Sequence, residues 1–284
     1  MNNSKIYLII SFMMSIFLMI TVSFGCADNM IIREDDSDKS VININENVLS
    51  FCAKEETKEN RIYFKYPQLQ EFTENNEEIN ALIVGFVEST LQNWLDGDFK
   101  GDLKGTYDRL DWNTDNYMFN AIDIDYKIMR NDSDYFSIIF EGLCNSKFAA
   151  HPTHCFIPIT IDKTSKKLIT INDLYHINDD FINIFRKEVN KQIREGLAIR
   201  LQILPEDIPD DTIECILESF NDVELYAIKE NFIQNSGHDY KFFLTNETLG
   251  ISISIPFVMG DHFEININYD ELQQFSAATN SLRY

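Results

Sequence analysis

Basic residues are scarce in this chain. It has 24 Lys and Arg against 46 Asp and Glu in 284 residues, a formal net charge of −22. A nucleic-acid-binding face needs cations to displace the counterions of a phosphate backbone, so this balance argues against nucleic acid as a partner. Anionic wall polymers are poor electrostatic partners for the same reason. A cationic protein or peptide is attracted instead, mainly through faster encounter at low salt. The plainer role of the acidity is to keep the protein in solution.

Catalytic and metal-binding signatures are missing as well. There is no Ser nucleophile elbow and no zinc-protease helix. Asp35, Asp36 and Asp38 lack the turn Gly and closing Glu of a calcium loop, so they read as a solvated acidic run. His151 and His154 lie three apart in His-Pro-Thr-His, but Pro152 breaks any helix that would align them. No third ligand stands at a metal-site spacing, so neither a metal nor a cofactor is expected. Cys155 beside His154 does not make a nucleophile pair, because adjacent strand residues point to opposite faces.

One long apolar run is present, and it comes first. Met1–Lys5 is polar with a single Lys, and Ile6–Phe24 carries no charge. That is the pattern of an export signal, and the run also reaches the lower length of a spanning helix. Lys5 before it and the acids after it favour an N-terminus-in orientation. Ser23-Phe24-Gly25-Cys26 is similar to a bacterial lipobox, with Cys26 as the lipidated residue; Ser23 stands where Leu is preferred and Phe24 where a small residue is usual. Lipoprotein, uncleaved anchor and cleaved signal peptide all stay open. All three place the body of the protein outside the cytoplasm, at the cell membrane when an anchor or lipid is kept.

The rest divides into four parts: 1–25, signal peptide or membrane anchor; 26–60, acidic tether and first strand; 61–120, an N-terminal α+β subdomain; and 121–284, a C-terminal α+β domain. Val41–Phe51 alternates weakly and reads as a strand. Arg61–Tyr66 is β-branched and aromatic, with Pro67 as its stop. Ile79, Leu82, Ile83, Phe86, Val87, Leu91, Trp94 and Leu95 recur at helical steps, after Asn75 or Asn76 as cap. Tyr107, Trp112, Tyr117 and Phe119 follow in a connection and read as packing back on the domain or gripping a ligand. Ile122–Ile128, Tyr135–Cys144, Cys155–Ile161 and Leu168–Ile171 then read as an antiparallel meander, with Asn131-Asp132-Ser133-Asp134 as a turn.

A second long helix is expected from Phe181 to about Leu201, capped by Asp179 or Asp180, and a short one over Asp210–Phe220. Tyr240–Thr245, Gly250–Pro256 and His262–Tyr269 close the chain as strands. The fold class is therefore α+β, a mainly antiparallel sheet packed by two long amphipathic helices. Cys144 and Cys155 flank the loop between two strands and are the disulfide candidate. The pairing of Cys52 and Cys215 stays open.

The stretch FSIIFEGLCNSKFAAHPTHCFIPITIDKTSKKLITINDLY resembles a family of extracytoplasmic bacterial domains. There a Ser-Ile strand leads to an Ala-His loop, then to a strand ending in Asp, a Thr-Gly-Lys-like turn and a Leu-Thr-Leu-x-Asp-Leu-Phe-like segment. The C-terminal FFLTNETLGISISIPFVMGDHFEININYDEL resembles the closing hairpin of the same family. Its members include the extracellular part of RsiV-type anti-sigma factors and the non-catalytic domain of PdaC-type peptidoglycan deacetylases. The resemblance covers roughly Ile62–Phe275, with Ser137–Tyr175 as its specific core, and Ser165 stands in place of the turn Gly.

No deacetylase Thr-Phe-Asp-Asp or His-x-x-x-His is present, and only five residues precede the apolar run. The expectation is the sensing or binding module alone, tethered outside the cell, in a family where one such module binds lysozyme. The expected contact surface is the loop Asn145–His154, chiefly Phe148, His151 and His154. Its expected partner is a cationic protein such as lysozyme, or a cell-wall fragment. Two other readings stand beside it: a cell-wall remodelling enzyme, or accessory subunit of one, with acid–base carboxylates on the sheet, and a structural envelope lipoprotein.

Overall fold

The structure is a computed structural model. It describes residues 47–70, 74–95, 99–106, 120–147, 149, 152–213, 241–254 and 262–277. The chain divides into two units, Met1–Ile42 and Asn43–Tyr284. The first lies outside the described residues, and with it the apolar run and Cys26. So do Tyr107, Trp112, Tyr117, Phe119, Phe148, His151, Cys215, Ile216, Leu217 and Phe220. Among the described residues no helix is long and apolar enough to cross a membrane.

The larger sheet begins with a hairpin, β1 (Val48–Glu56) and β2 (Asn60–Leu69), paired along their whole length. The Thr57 hydroxyl accepts from the N–H groups of Glu59 and Asn60 and so holds the turn. Asn47, at a φ of 72°, immediately precedes β1; residues 41–46 of the expected strand lie outside the described residues, and β1 continues past Phe51 to Glu56. β2 runs through Pro67, which was expected to stop it. At that point β1 is the one described strand paired with β2, so the missing N–H interrupts no second ladder.

α1 (Glu74–Trp94) leads from β2 to β3 (Asn120–Asn131). Ile79, Ile83, Val87 and Leu91 recur every fourth residue and are each at most 1% exposed. They pack on Ile62, Phe64, Ile122, Ile124, Phe136, Ile138 and Phe140. Each such burial contributes roughly 1.5–3 kcal/mol. β2 and β3 run parallel over Asn60–Phe64 and Asn120–Ile124. The mainly antiparallel expectation thus has a parallel exception here, and a connection this long and helical is what parallel strands need. The sheet also runs across the boundary expected between residues 120 and 121.

β4 (Tyr135–Asn145) and β5 (Thr153–Asp162) complete an antiparallel meander with β3, as the alternation predicts. At the β3–β4 turn the Asp132 carboxylate accepts from the N–H groups of Asp134 and Tyr135. The last strand, β6, is only Lys167–Leu168. The expected strand to Ile171 gives way to a short helix, α2 (Ile171–Leu174), because Thr170 and Asp173 form a capping box there. The strand order is β1-β2-β3-β4-β5-β6.

A second, three-stranded antiparallel sheet follows: β7 (Lys241–Leu244), β8 (Thr248–Ser254) and β9 (His262–Asn268). The fold is thus α+β with mostly antiparallel sheet. α3 (Asp179–Leu201) lays Phe181, Phe185, Val189 and Ile193 against Leu244, Leu249, Ile251, Ile265 and Ile267. Its cap is Asn178, whose side chain accepts from the Phe181 N–H at 3.0 Å. Asp179 and Asp180 were the expected caps; they occupy the first turn, where their charge still suits the helix dipole. α4 (Tyr269–Leu272) ends β9 one residue before the expected strand end.

Alternation along β4 and β5 gives the larger sheet two jobs. Phe136, Ile138, Phe140, Ile159 and Ile161 face α1. Residues of the opposite parity face the smaller sheet. There the buried Ser137 Oγ lies 3.0 Å from Thr160 Oγ1 and accepts from the Leu244 N–H at 2.9 Å. That hydroxyl joins the two sheets.

Candidate functional site

His154 and Phe156 share one face of β5, two residues apart. The face points toward the smaller sheet, and His262 at the start of β9 meets it. The His154 and His262 rings stack with centroids 5.0 Å apart and planes 18° from parallel. His262 also stacks on Phe156, with centroids 4.3 Å apart. Phe156 in turn meets the Phe243 ring of β7 edge-on at 6.2 Å. The result is a run of four rings drawn from β5, β7 and β9.

The run grades from dry to wet. Phe156 and Phe243 are 1% exposed and pack with Ile139, while the His262 side chain is 17% exposed and His154 is half-buried. The Nδ1 atoms of both imidazoles are buried. Two carboxylates border the rings. Glu264 Oε1 lies 3.6 Å from His262 Nε2. Glu141 is the direct cross-strand partner of Phe156 on β4, and its Oε1 lies 2.7 Å from Lys127 Nζ. Flat ring faces beside carboxylates suit a cationic side chain, which binds both an anion and a π-face.

The loop at the end of these strands is pinned at its base. Cys144 and Cys155 are joined in a disulfide, with Cα atoms 6.3 Å apart. The bond sits on the α1 side of the sheet, packed against the core that α1 covers, opposite in parity to His154. Gly142, across from Cys155, must be glycine: a Cβ there would collide with the Asp123 carbonyl of β3. On the outgoing side, the buried Asn145 ends β4 and the Lys147 N–H donates to Asn120 Oδ1 at 2.9 Å. The Ala149 N–H donates to the Ser146 carbonyl at 2.9 Å. Of the three expected contact residues, His154 is thus placed on the ring stack, and Phe148 and His151 lie outside the described residues.

His262, Phe156 and Phe243 were not singled out by sequence. Parity along β5 was the available signal for Phe156. His262 and Phe243 come from strands some distance downstream, and no local periodicity reports that meeting.

A second polar centre lies at the opposite end of the meander. Arg130 is 8% exposed, and its guanidinium sits 5.1 Å from the Tyr135 ring and 5.9 Å from the Tyr269 ring. Its Nε pairs with the Asp132 carboxylate, and the Tyr269 hydroxyl donates to the Thr245 carbonyl at 2.7 Å. Burial works against the charge on both groups. It is outweighed for Asp132 by the Tyr135 N–H, Arg130 and the Asp134 N–H, which hold the carboxyl below its usual range. The same pairing with Asp132 raises the Arg130 pKa. Burial pushes the neighbouring Lys163 amine down. This knot ties the larger sheet to α4 and the β7–β8 turn, and it reads as structural.

No family model matches the chain, and no curated protein matches it. The structure is similar to that of a DUF3298 family protein from Pseudomonas aeruginosa PAO1, at 9% identity and a TM-score of 0.49, over 81% of this chain and 94% of that one. It is also similar to a member of the same family from Bacteroides fragilis NCTC 9343, at 10% identity and a TM-score of 0.47, over 81% and 93%.

Proposed function

We propose that the chain is an extracytoplasmic binding or sensing module, held at the cell membrane through its N-terminal apolar run or through lipid on Cys26. Its contact surface is the ring run His154–His262–Phe156 together with the pinned loop that carries Phe148 and His151. The two long helices act as amphipathic covers, one for each sheet, and leave this rim open. The observation that carries the reading is the stacking of His154 on His262 at 5.0 Å beside Glu264. It makes a rigid, partly exposed aromatic surface with acidic borders, on a chain of net charge −22. A cationic protein is the partner that suits it, and lysozyme is the instance supplied by the resemblance of the Ser137–Tyr175 stretch. Among the described residues, the carboxyls whose pKa moves, Asp132 and Glu56, both move down, which supports binding over acid–base catalysis. A general acid needs the opposite.

The test is calorimetry of the full chain with hen lysozyme at low and physiological salt. The expected result is binding that survives physiological salt and weakens at least tenfold in His154→Ala. Binding seen at low salt alone is general charge attraction and would sink the proposal, as would affinity unchanged in His154→Ala.

A further inference from the structure

The larger sheet opens along one seam. β2 and β3 are paired only as far as Phe64 and Ile124, yet β2 continues to Leu69 and β3 to Asn131. β3 stays paired with β4 on its other side. From Asp125 onward, an interior strand therefore presents an edge to which no described strand is paired. Exposure follows the split: Ile124 is fully buried, and Tyr126 and Ile128, of the same parity, are only half-buried. Between the diverging strands lies a cavity of about 630 Å³, bordered by Val48, Ser50, Lys65, Asp125, Ile128 and Met129.

The two walls of this notch differ. In a strand, the N–H and C=O of one residue point to the same edge, and the direction alternates. On β2 the seam-facing groups are blocked. The Leu69 N–H and C=O are held by the Asn80 side chain of α1 at 2.8 and 3.0 Å. Pro67, two residues earlier, has no N–H. These are devices that prevent strand addition.

On β3 the blocking is partial. Asn120 donates its N–H to Glu59 across the seam, so even-numbered residues of β3 face it. The Tyr126 N–H is held by the Asp125 side chain at 2.8 Å, and Lys65 reaches across the apex to the same carboxylate. The Tyr126 carbonyl and both backbone groups of Ile128 face the notch.

We propose that the notch is a strand-addition site, which takes an extended peptide segment of a partner protein against the β3 edge at Tyr126 and Ile128. Main-chain bonds give such a mode its affinity and alternate side chains its specificity. An added strand would set one row of side chains over the half-buried Tyr126 and Ile128. It would set the other beside Asp125 and Lys127. The class of ligand is therefore a peptide alternating apolar and polar residues over about five positions, matching the stretch Asp125–Met129 that borders the cavity. Asp125 acts as a guard: it holds the Tyr126 N–H that an incoming carbonyl would otherwise take.

The test is panning of the full chain against a display library of random linear decapeptides, followed by calorimetry and amide exchange with the selected peptides. The expected peptides alternate in polarity and slow exchange at Ile128. Ser50→Trp, which fills the mouth of the notch, weakens them at least tenfold. Asp125→Ala, which frees the Tyr126 N–H, tightens them several-fold. His154→Ala leaves them unchanged, so this site stands or falls apart from the ring run. No selected peptide, protection elsewhere, or equal affinity for Ser50→Trp would overturn the proposal. So would self-association of the chain that Ser50→Trp abolishes in sedimentation, because the occupant is then a second copy.

Discussion

The ring of Phe243 lies across Gly250, its antiparallel partner on β8. A Cβ at that glycine would strike the ring directly. Phe243 needs this room to reach Phe156, and Phe156 is the floor on which His262 stacks. One absent methyl group on β8 thus supports the ring run two strands of side chains away. Gly250→Val is expected to cost about 1–3 kcal/mol through overpacking. Urea unfolding checks this as a lower midpoint at unchanged slope. The same variant should lose the lysozyme binding proposed for the rim, because the floor has moved.

Ser137 tests the join between the sheets. Its hydroxyl is fully buried, and Ser137→Ala strands the Leu244 N–H without its acceptor. An orphaned buried donor costs about 1–3 kcal/mol. The expected outcome is that loss in denaturant unfolding, with faster exchange of the Leu244 amide. An unchanged Leu244 exchange rate would show that the hydroxyl is not the link.

Asp132 gives the pH dependence its sign. Its folded carboxyl lies below the ordinary range, so the unfolded chain binds the proton more readily. Stability from this group is therefore complete above the unfolded carboxyl pKa of about 4 and is lost as pH falls through the lower folded value. Asp132→Asn should flatten that limb of a stability–pH curve measured from pH 2 to 6. It should also cost about 1–3 kcal/mol at neutral pH, because Arg130 keeps its burial and loses its anion.

The cysteines predict a contrast in reactivity. Cys144–Cys155 closes a separation of 11 residues, and opening so small a loop should cost about 2–3 kcal/mol. Unfolding with and without reductant measures that difference. Cys52 is free and buried on β1, and burial is the chief cause that pushes its thiol up to about 11. Peptide-level mass spectrometry after iodoacetamide at pH 8 should find Cys52 unmodified in the folded chain and alkylated in urea.

The parts legible in the sequence are those whose signal is local. The stripe from Ile79 to Leu91 specifies α1, and Asn131-Asp132-Ser133-Asp134 specifies the turn at which Asp132 caps two N–H groups. The alternation of β3 and β5 sorts their faces. What was not legible depends on meetings between distant segments. Nothing in Arg61–Tyr66 announces that Asn120–Ile124 will lie parallel to it. Pro67 looked like a stop because its tolerance depends on a neighbour that turns away. Asn178 rather than Asp179 caps α3 because the backbone turns into the helix one residue earlier than the charge pattern suggests. The rim shows the same limit: His154 was legible as a loop-end residue, but its ring partner His262 was not.

The short parallel pairing of β2 with β3 also bears on how the molecule assembles. The β3–β4–β5 meander closes through turns of a few residues, whereas Asn60 meets Asn120 across 60 residues of chain. Closing the longer loop carries the larger entropic barrier, and few seam contacts compensate for it. The meander is expected to form first and offer its β3 edge as a template, with the β1–β2 hairpin docking afterwards together with α1. In pulse-labelled hydrogen exchange, amides of Phe136–Ile161 should then gain protection before those of Ile62 and Phe64. On this order of events, the notch is the part of the template that the late hairpin leaves uncovered.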